Sequence, residues 1–203
     1  MIQSLLTEEH RDALQEVANI GMGQAGNSVA QLLKEFVELS VPRIQILSRE
    51  ELSQAIGRAV GHTEVAAVRQ AFHGGLRGET IAIFNCQGFV ALAELMGYEA
   101  DLEPDAQHEL LLDISNVLIG ACVGEISRLL GVGVAFSAPS MIGDRMPASD
   151  IVRAADVRLD WALYMDVNFK LERHSFGCDL VILVPESEVK ALTEAVARFV
   201  ESF

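Results

Sequence analysis

Two eight-residue stretches, DALQEVAN (12–19) and ELLLDISN (109–116), set two acids and an asparagine at the same intervals. In the first they are Asp12, Glu16 and Asn19; in the second, Glu109, Asp113 and Asn116. At about 100° per residue, positions i, i+4 and i+7 fall within a narrow arc of a helix surface, so each triple points one way. Gly23 and Gly120 continue the stripes by another turn. A carboxylate one turn from a carboxamide can accept from a cation on another molecule, while the amide, both donor and acceptor, can hold a water in a fixed orientation. No nucleophile stands beside the pair and no histidine is placed as its base. It can only complete chemistry whose other parts lie elsewhere.

Each residue also has a plain structural reading. Asp12 and Glu109 sit early in their helices, where acids favour the dipole. Glu16 alone would be ordinary surface and Asn19 alone a tolerated polar residue. His10, Asp12 and Glu16 on one helix could suggest a metal, yet no Cys/His set with zinc spacing accompanies them. What favours function is recurrence. The offset of 97 that relates the triples also carries Leu14 to Leu111, Val17 to Ile114, Ile20 to Val117, Gly23 to Gly120, Leu33 to Leu130 and Pro42 to Pro139. In both copies 22 residues separate asparagine from proline. The chain reads as two related halves, 1–103 and 104–203.

Each half opens with a long helix. Leu14, Val17, Ala18, Ala25, Val29, Leu32, Leu33 and Phe36 keep a helical period that predicts a helix over 7–38, with Thr7 as cap and acids in the first turn. The second runs from about Pro104 to Leu130. Short extended segments follow the prolines (43–47 and SMI after Pro139), with a small helix, SREELSQAIG, in the first half. Paired strand-like runs then flank GGLRG and RHSFG, and each half closes with a helix. The class is α+β, with both motif-bearing helices on one side of a shared antiparallel sheet.

Two or three glycines in GMGQAG cost a helix about 1 kcal/mol each relative to alanine, and close approach of another backbone is the usual compensation. That backbone belongs either to a neighbouring helix or to a partner.

A net charge of −14 excludes a nucleic-acid backbone as partner and suits a partner with exposed lysines, or solubility alone. No apolar run is read as long enough and charge-free enough to span a bilayer, and MIQSLLTEEHRD lacks the make-up of a secretory signal. Three dispersed cysteines, Cys86, Cys122 and Cys178, read as buried free thiols of a cytoplasmic protein.

The pattern of Asp or Ser, three residues, Glu, two residues, Asn, then 22 residues to Pro, present twice, resembles the CheC family of chemotaxis phosphatases, relatives of CheX and of the flagellar-switch protein FliY. The resemblance implies hydrolysis of the aspartyl phosphate on a CheY-like response regulator. By position, Glu16 would pair with the regulator's active-site lysine and Asn19 would orient the attacking water. The Mg2+ would be the regulator's own, so this chain would bind no cofactor. Some members bind the receptor deamidase CheD; no residue here decides that. In the second copy Asp113 replaces glutamate and Glu109 stands where Asp or Ser is usual, so the first site is expected to be the stronger and the second weakened. The rival is a non-catalytic regulator-binding or motor-switch module. Such relatives lack the acid–amide pair, and no C-terminal motor-binding segment is expected in a sequence that stops at Phe203.

Overall fold

The computed structural model describes residues 7–61, 64–86, 89–98, 103–155, 157, 160–171 and 177–201. The first helix, α1 (Glu8–Leu33), starts at Thr7, whose hydroxyl accepts from the His10 N–H, with Glu8 and Glu9 in the first turn. It ends sooner than its apolar period suggests. Lys34 takes a left-handed conformation (φ 55°), donates its N–H to the Ala30 carbonyl and swings the chain out into strand β1 (Val37–Leu39). Phe36, which the period placed on the buried side, is therefore 63% exposed.

Strand β2 (Arg43–Ser48) leads into α2 (Arg49–Val60), opened by a capping box between Ser48 and Glu51. Strands β3 (Val65–Gly74) and β4 (Gly78–Asn85) form a hairpin, and α3 (Phe89–Leu95) follows. The chain then runs through α4 (Pro104–Leu129), β5 (Val134–Phe136) and β6 (Ser140–Met146). A 3-10 turn (Ala148–Asp150) and α5 (Ile151–Ala154), absent from the sequence reading, come next. The hairpin of β7 (Trp161–Leu171) and β8 (Gly177–Pro185) precedes α6 (Glu186–Val200). Of the expected RHSFG turn only Gly177 lies among the described residues, and residues 99–102, just before the expected boundary at 103/104, lie outside them.

The strands form one antiparallel sheet in the order β1-β7-β8-β4-β3-β5, with β2 also on β7 and β6 also on β3. The opening strands of each half thus pair with the hairpin of the other half. Register follows the offset of 97. Leu39 faces Phe169 as Phe136 faces Phe72, and Ile44 faces Met165 as Met141 faces Val68. Side chains repeat the match: the Ser40 N–H donates to the Asn168 carbonyl (3.0 Å) and the Asn168 N–H to Ser40 Oγ (2.9 Å). Ser137 and Ala71 exchange the same two bonds at 2.9 and 3.1 Å. The match breaks between Val68 and Ala67, where the β3–β6 ladder is irregular.

Apolar layers form on both faces of the sheet, as the period-2 alternation of β3 and β7 demands. Leu14, Val17 and Ala18 of α1, Leu110, Ile114 and Leu118 of α4 and Val189 and Leu192 of α6 pack with Val68, Phe84, Val167 and Leu180. On the opposite face Leu52 and Ile56 of α2 and Ile151 of α5 meet Ala67, Ile83, Tyr164 and Val181. Helix α4 corrects one expectation: an 18-residue window within it reaches a mean hydropathy of 1.6, apolar and long enough by composition to cross a bilayer. Here that apolarity goes into the core, between α1 and the sheet.

The glycines of α1 divide. A Cβ added at Gly21 would lie 2.9 Å from Ile126 Cγ1 and 3.2 Å from the Ile126 backbone nitrogen, so the middle of α1 touches the last turns of α4 at that residue. At Gly26 the neighbour is the Leu39 side chain, and at Gly23 nothing lies within 4 Å. Internal packing explains the first two and leaves Gly23 open. Gly21→Ala is expected to lower stability by about 1 kcal/mol, overpacking outweighing the gain in helix propensity. Gly23→Ala is expected to raise it by about 0.5–1 kcal/mol; urea unfolding of both variants measures the opposite signs.

Cys122 and Cys178 are buried and Cys86 half-buried. Burial pushes the thiols up in all three, with the Asp144 carboxylate adding to the effect at Cys86. In the native protein at neutral pH, a chromogenic disulfide reagent is expected to titrate Cys86 slowly and the other two only after unfolding.

Candidate functional site

Helix α1 has two duties on opposite sides. Leu14, Val17, Ala18, Met22 and Ala25 are at most 2% exposed, while Asp12, Glu16, Asn19 and Gly23 are exposed. In α4, Leu110, Ile114 and Leu118 go inward; Glu109, Asp113 and Asn116 are exposed and Gly120 is half-buried, with open space around the position of its missing side chain. Both acid–amide pairs therefore face outward from helices whose rears are fixed in one core. Rigid elements of this kind place side chains more precisely than loops do.

Apolar groups stand beside the pairs. Ile20, next to Asn19, is half-buried; Val117, next to Asn116, is 38% exposed. Val41 is 71% exposed and immediately precedes Pro42. An anionic and amide centre with an apolar rim is a surface that another protein can desolvate.

The structure adds two residues that the sequence reading passed over. Gln15 Nε2 donates to the Pro42 carbonyl at 2.8 Å and stands 3.5 Å from Asn19 Oδ1. At the second site Gln70, on β3 of the first half and 2% exposed, donates through Nε2 to Asn116 Oδ1 and to the Ser137 carbonyl, both at 2.8 Å. Pro42, expected only to end a connection, thus supplies the carbonyl that ties α1 to the start of β2. Gln15 lies one turn before Asn19, so its proximity was legible. Nothing local to Gln70 points to Asn116, 46 residues away.

The family model described as CheC-like family matches residues 9–46, a segment that runs from before Asp12 to beyond Pro42. In that segment the chain is similar to the CheC-like family. Over 151 residues it is 29% identical to the Bacillus subtilis CheY-P phosphatase CheC, covering 70% of each chain. Over 198 residues it is 21% identical to the B. subtilis flagellar motor switch phosphatase FliY, covering 90% of this chain and spanning about half (51%) of that relative's length. Among solved structures, Thermotoga maritima FliY superposes with a TM-score of 0.69 at 18% identity, over 96% of this chain and 98% of that one. A chain from the Borrelia burgdorferi CheX-CheY-BeF3-Mg2+ complex superposes with a TM-score of 0.53 at 12% identity, over 81% of this chain and 95% of its own. These two likenesses establish the fold.

Proposed function

We propose that this CheC-like chain is a phosphatase of a CheY-like response regulator, and that it acts by inserting helix-borne acid–amide pairs into the regulator's phosphorylation site. The observation that carries the reading is the outward placement of Glu16 and Asn19 on a helix whose opposite face is sealed in the core. The relative named CheY-P phosphatase and the fold shared with a chain from a CheX–CheY complex supply the substrate class.

In this reading Glu16 accepts from the regulator's lysine and fixes the approach. Asn19 then places its carboxamide against the water in line with the acyl phosphate. The water oxygen bonds to phosphorus as the bond to the aspartyl oxygen breaks; inorganic phosphate leaves, the regulator's carboxylate is restored and the water's proton passes to phosphate and solvent. The Mg2+ belongs to the regulator. Catalysis of this kind rests on positioning and charge stabilisation, with little covalent work asked of the protein. The two halves, 1–103 and 104–203, act as repeats, each offering one site. Asp113 is one methylene shorter than Glu16, which makes the Asp113/Asn116 site the weaker. Asp12, Glu109, Gly23 and Gly120 flank the pairs within the docking surface.

The test is phosphate release from an acetyl-phosphate-charged regulator with Mg2+. Asn19→Ala is expected to remove most of the acceleration and Asn116→Ala a minor share, each site losing about a hundredfold of its own rate; the double variant returns to the regulator's intrinsic rate. Glu16→Gln is expected to raise KM about tenfold through the lost charge-assisted bond. Equal losses from the two asparagine variants would refute the ranking of the sites. Tight regulator binding without faster release would leave a binding module instead.

A further inference from the structure

We infer that Gln70 is the positioning residue of the second site: it locks the Asn116 carboxamide with its oxygen inward and its NH2 outward, toward a docked partner. The inference rests on the phosphatase reading and deepens it. A backbone carbonyl only accepts, so Gln70 must turn its NH2 toward Ser137. The same nitrogen faces Asn116 Oδ1 at 2.8 Å, so Asn116 must answer with its oxygen. One end of the Asn116 amide is thereby fixed, and the other projects from an exposed helix face. Ser137 is itself held to β3 through the two bonds it exchanges with Ala71, the residue after Gln70. The brace stands on the sheet and not on a loop.

Packing alone does not account for this glutamine. Its Oε1 is buried and finds no partner among the described residues, and an unmet buried polar atom is costly. At the offset of 97 its counterpart is Val167, fully buried in the same core layer. Valine therefore suits that position of the fold. The first site, with Val167 at that place in the sheet, has its amide on the helix instead: Gln15, whose own counterpart is Leu112. Each site thus uses one glutamine, both from the first half but at non-equivalent positions, to tie its asparagine to a backbone carbonyl at or just before the proline. The ties differ in grip, 2.8 Å from a buried Gln70 against 3.5 Å from a half-buried Gln15. The second site trades reach, lost with Asp113, for a better-fixed amide.

The decisive experiment measures regulator dephosphorylation in an Asn19→Ala background, where Asn116 carries the residual rate. Gln70→Val is expected to lower kcat about tenfold while KM stays within about twofold, the signature of a misplaced group and not of lost docking. Its urea midpoint is expected to be equal to or above that of the parent. Adding Leu112→Gln, which rebuilds the first copy's solution, is expected to restore most of the rate. With Asn19 intact and Asn116 already alanine, Gln70→Val should leave the rate unchanged. Where the wild type is active, an unchanged kcat, a loss that persists without Asn116, or no residual rate in the Asn19→Ala parent would each overturn the proposal. Side-chain amide NMR separates this outcome from failure of the phosphatase reading. If the wild-type chain never accelerates release, a rise in Asn116 carboxamide mobility on Gln70→Val still supports the brace, and unchanged mobility sinks it.

Discussion

The contact of α1 on α4 at Gly21 and Ile126 is the constraint from which the functional surface follows. A side chain at Gly21 would hold the helices apart, and both helices would then lift from the sheet layer formed by Val68, Phe84, Val167 and Leu180. Close-packed interiors convert such a displacement into lost contacts across the whole interface, because dispersion falls steeply with separation. With the rear faces fixed, helix geometry sets where Glu16, Asn19, Asp113 and Asn116 leave the surface, and the glutamine contacts bear on the two amides. Surface residues here inherit their precision from buried ones.

In the proposed reading the site serves another molecule's chemistry. Its acids and amides are solvated, and the titratable groups that burial does perturb, such as Cys122 and Cys178, lie away from it in the core. An enzyme working alone would bury and tune its acid or base. A surface that supplies an anchor and an oriented amide needs neither, since the low-dielectric surroundings would form only when a partner closes over it. Val41, Val117 and Ile20 are the groups available to exclude water at that moment.

Much of this was legible in the sequence because residue types recur along it at one fixed offset. The offset of 97 seen in Asp12/Glu109 and Pro42/Pro139 reappears as strand register and as the paired Ser40 and Ser137 bonds. What escaped reading has physical causes. Phe36 fits the helical period, but the period says nothing of the left-handed turn at Lys34 that sends it outward. Strands β1 and β5 are three residues each, too short to show alternation. Gly21 and Gly23 look alike as letters and differ only in what stands opposite them. Gln70 was invisible because its partner lies on another element and its counterpart in the second half, Val167, is a valine.

The crossed pairing of opening strands has a consequence during synthesis. When β3 and β4 first emerge from the ribosome, the strands that will cover the outer edge of β3, at 134–136 and 140–146, have not been made. The nascent first half therefore carries a bare strand edge and a helix, α1, without its mate. Such edges invite pairing with the wrong chain, and the long sequence separation of the correct partner slows its closure. Neither half can finish folding as an independent unit; the interlock that makes the mature surface rigid leaves the growing chain dependent on its own second half.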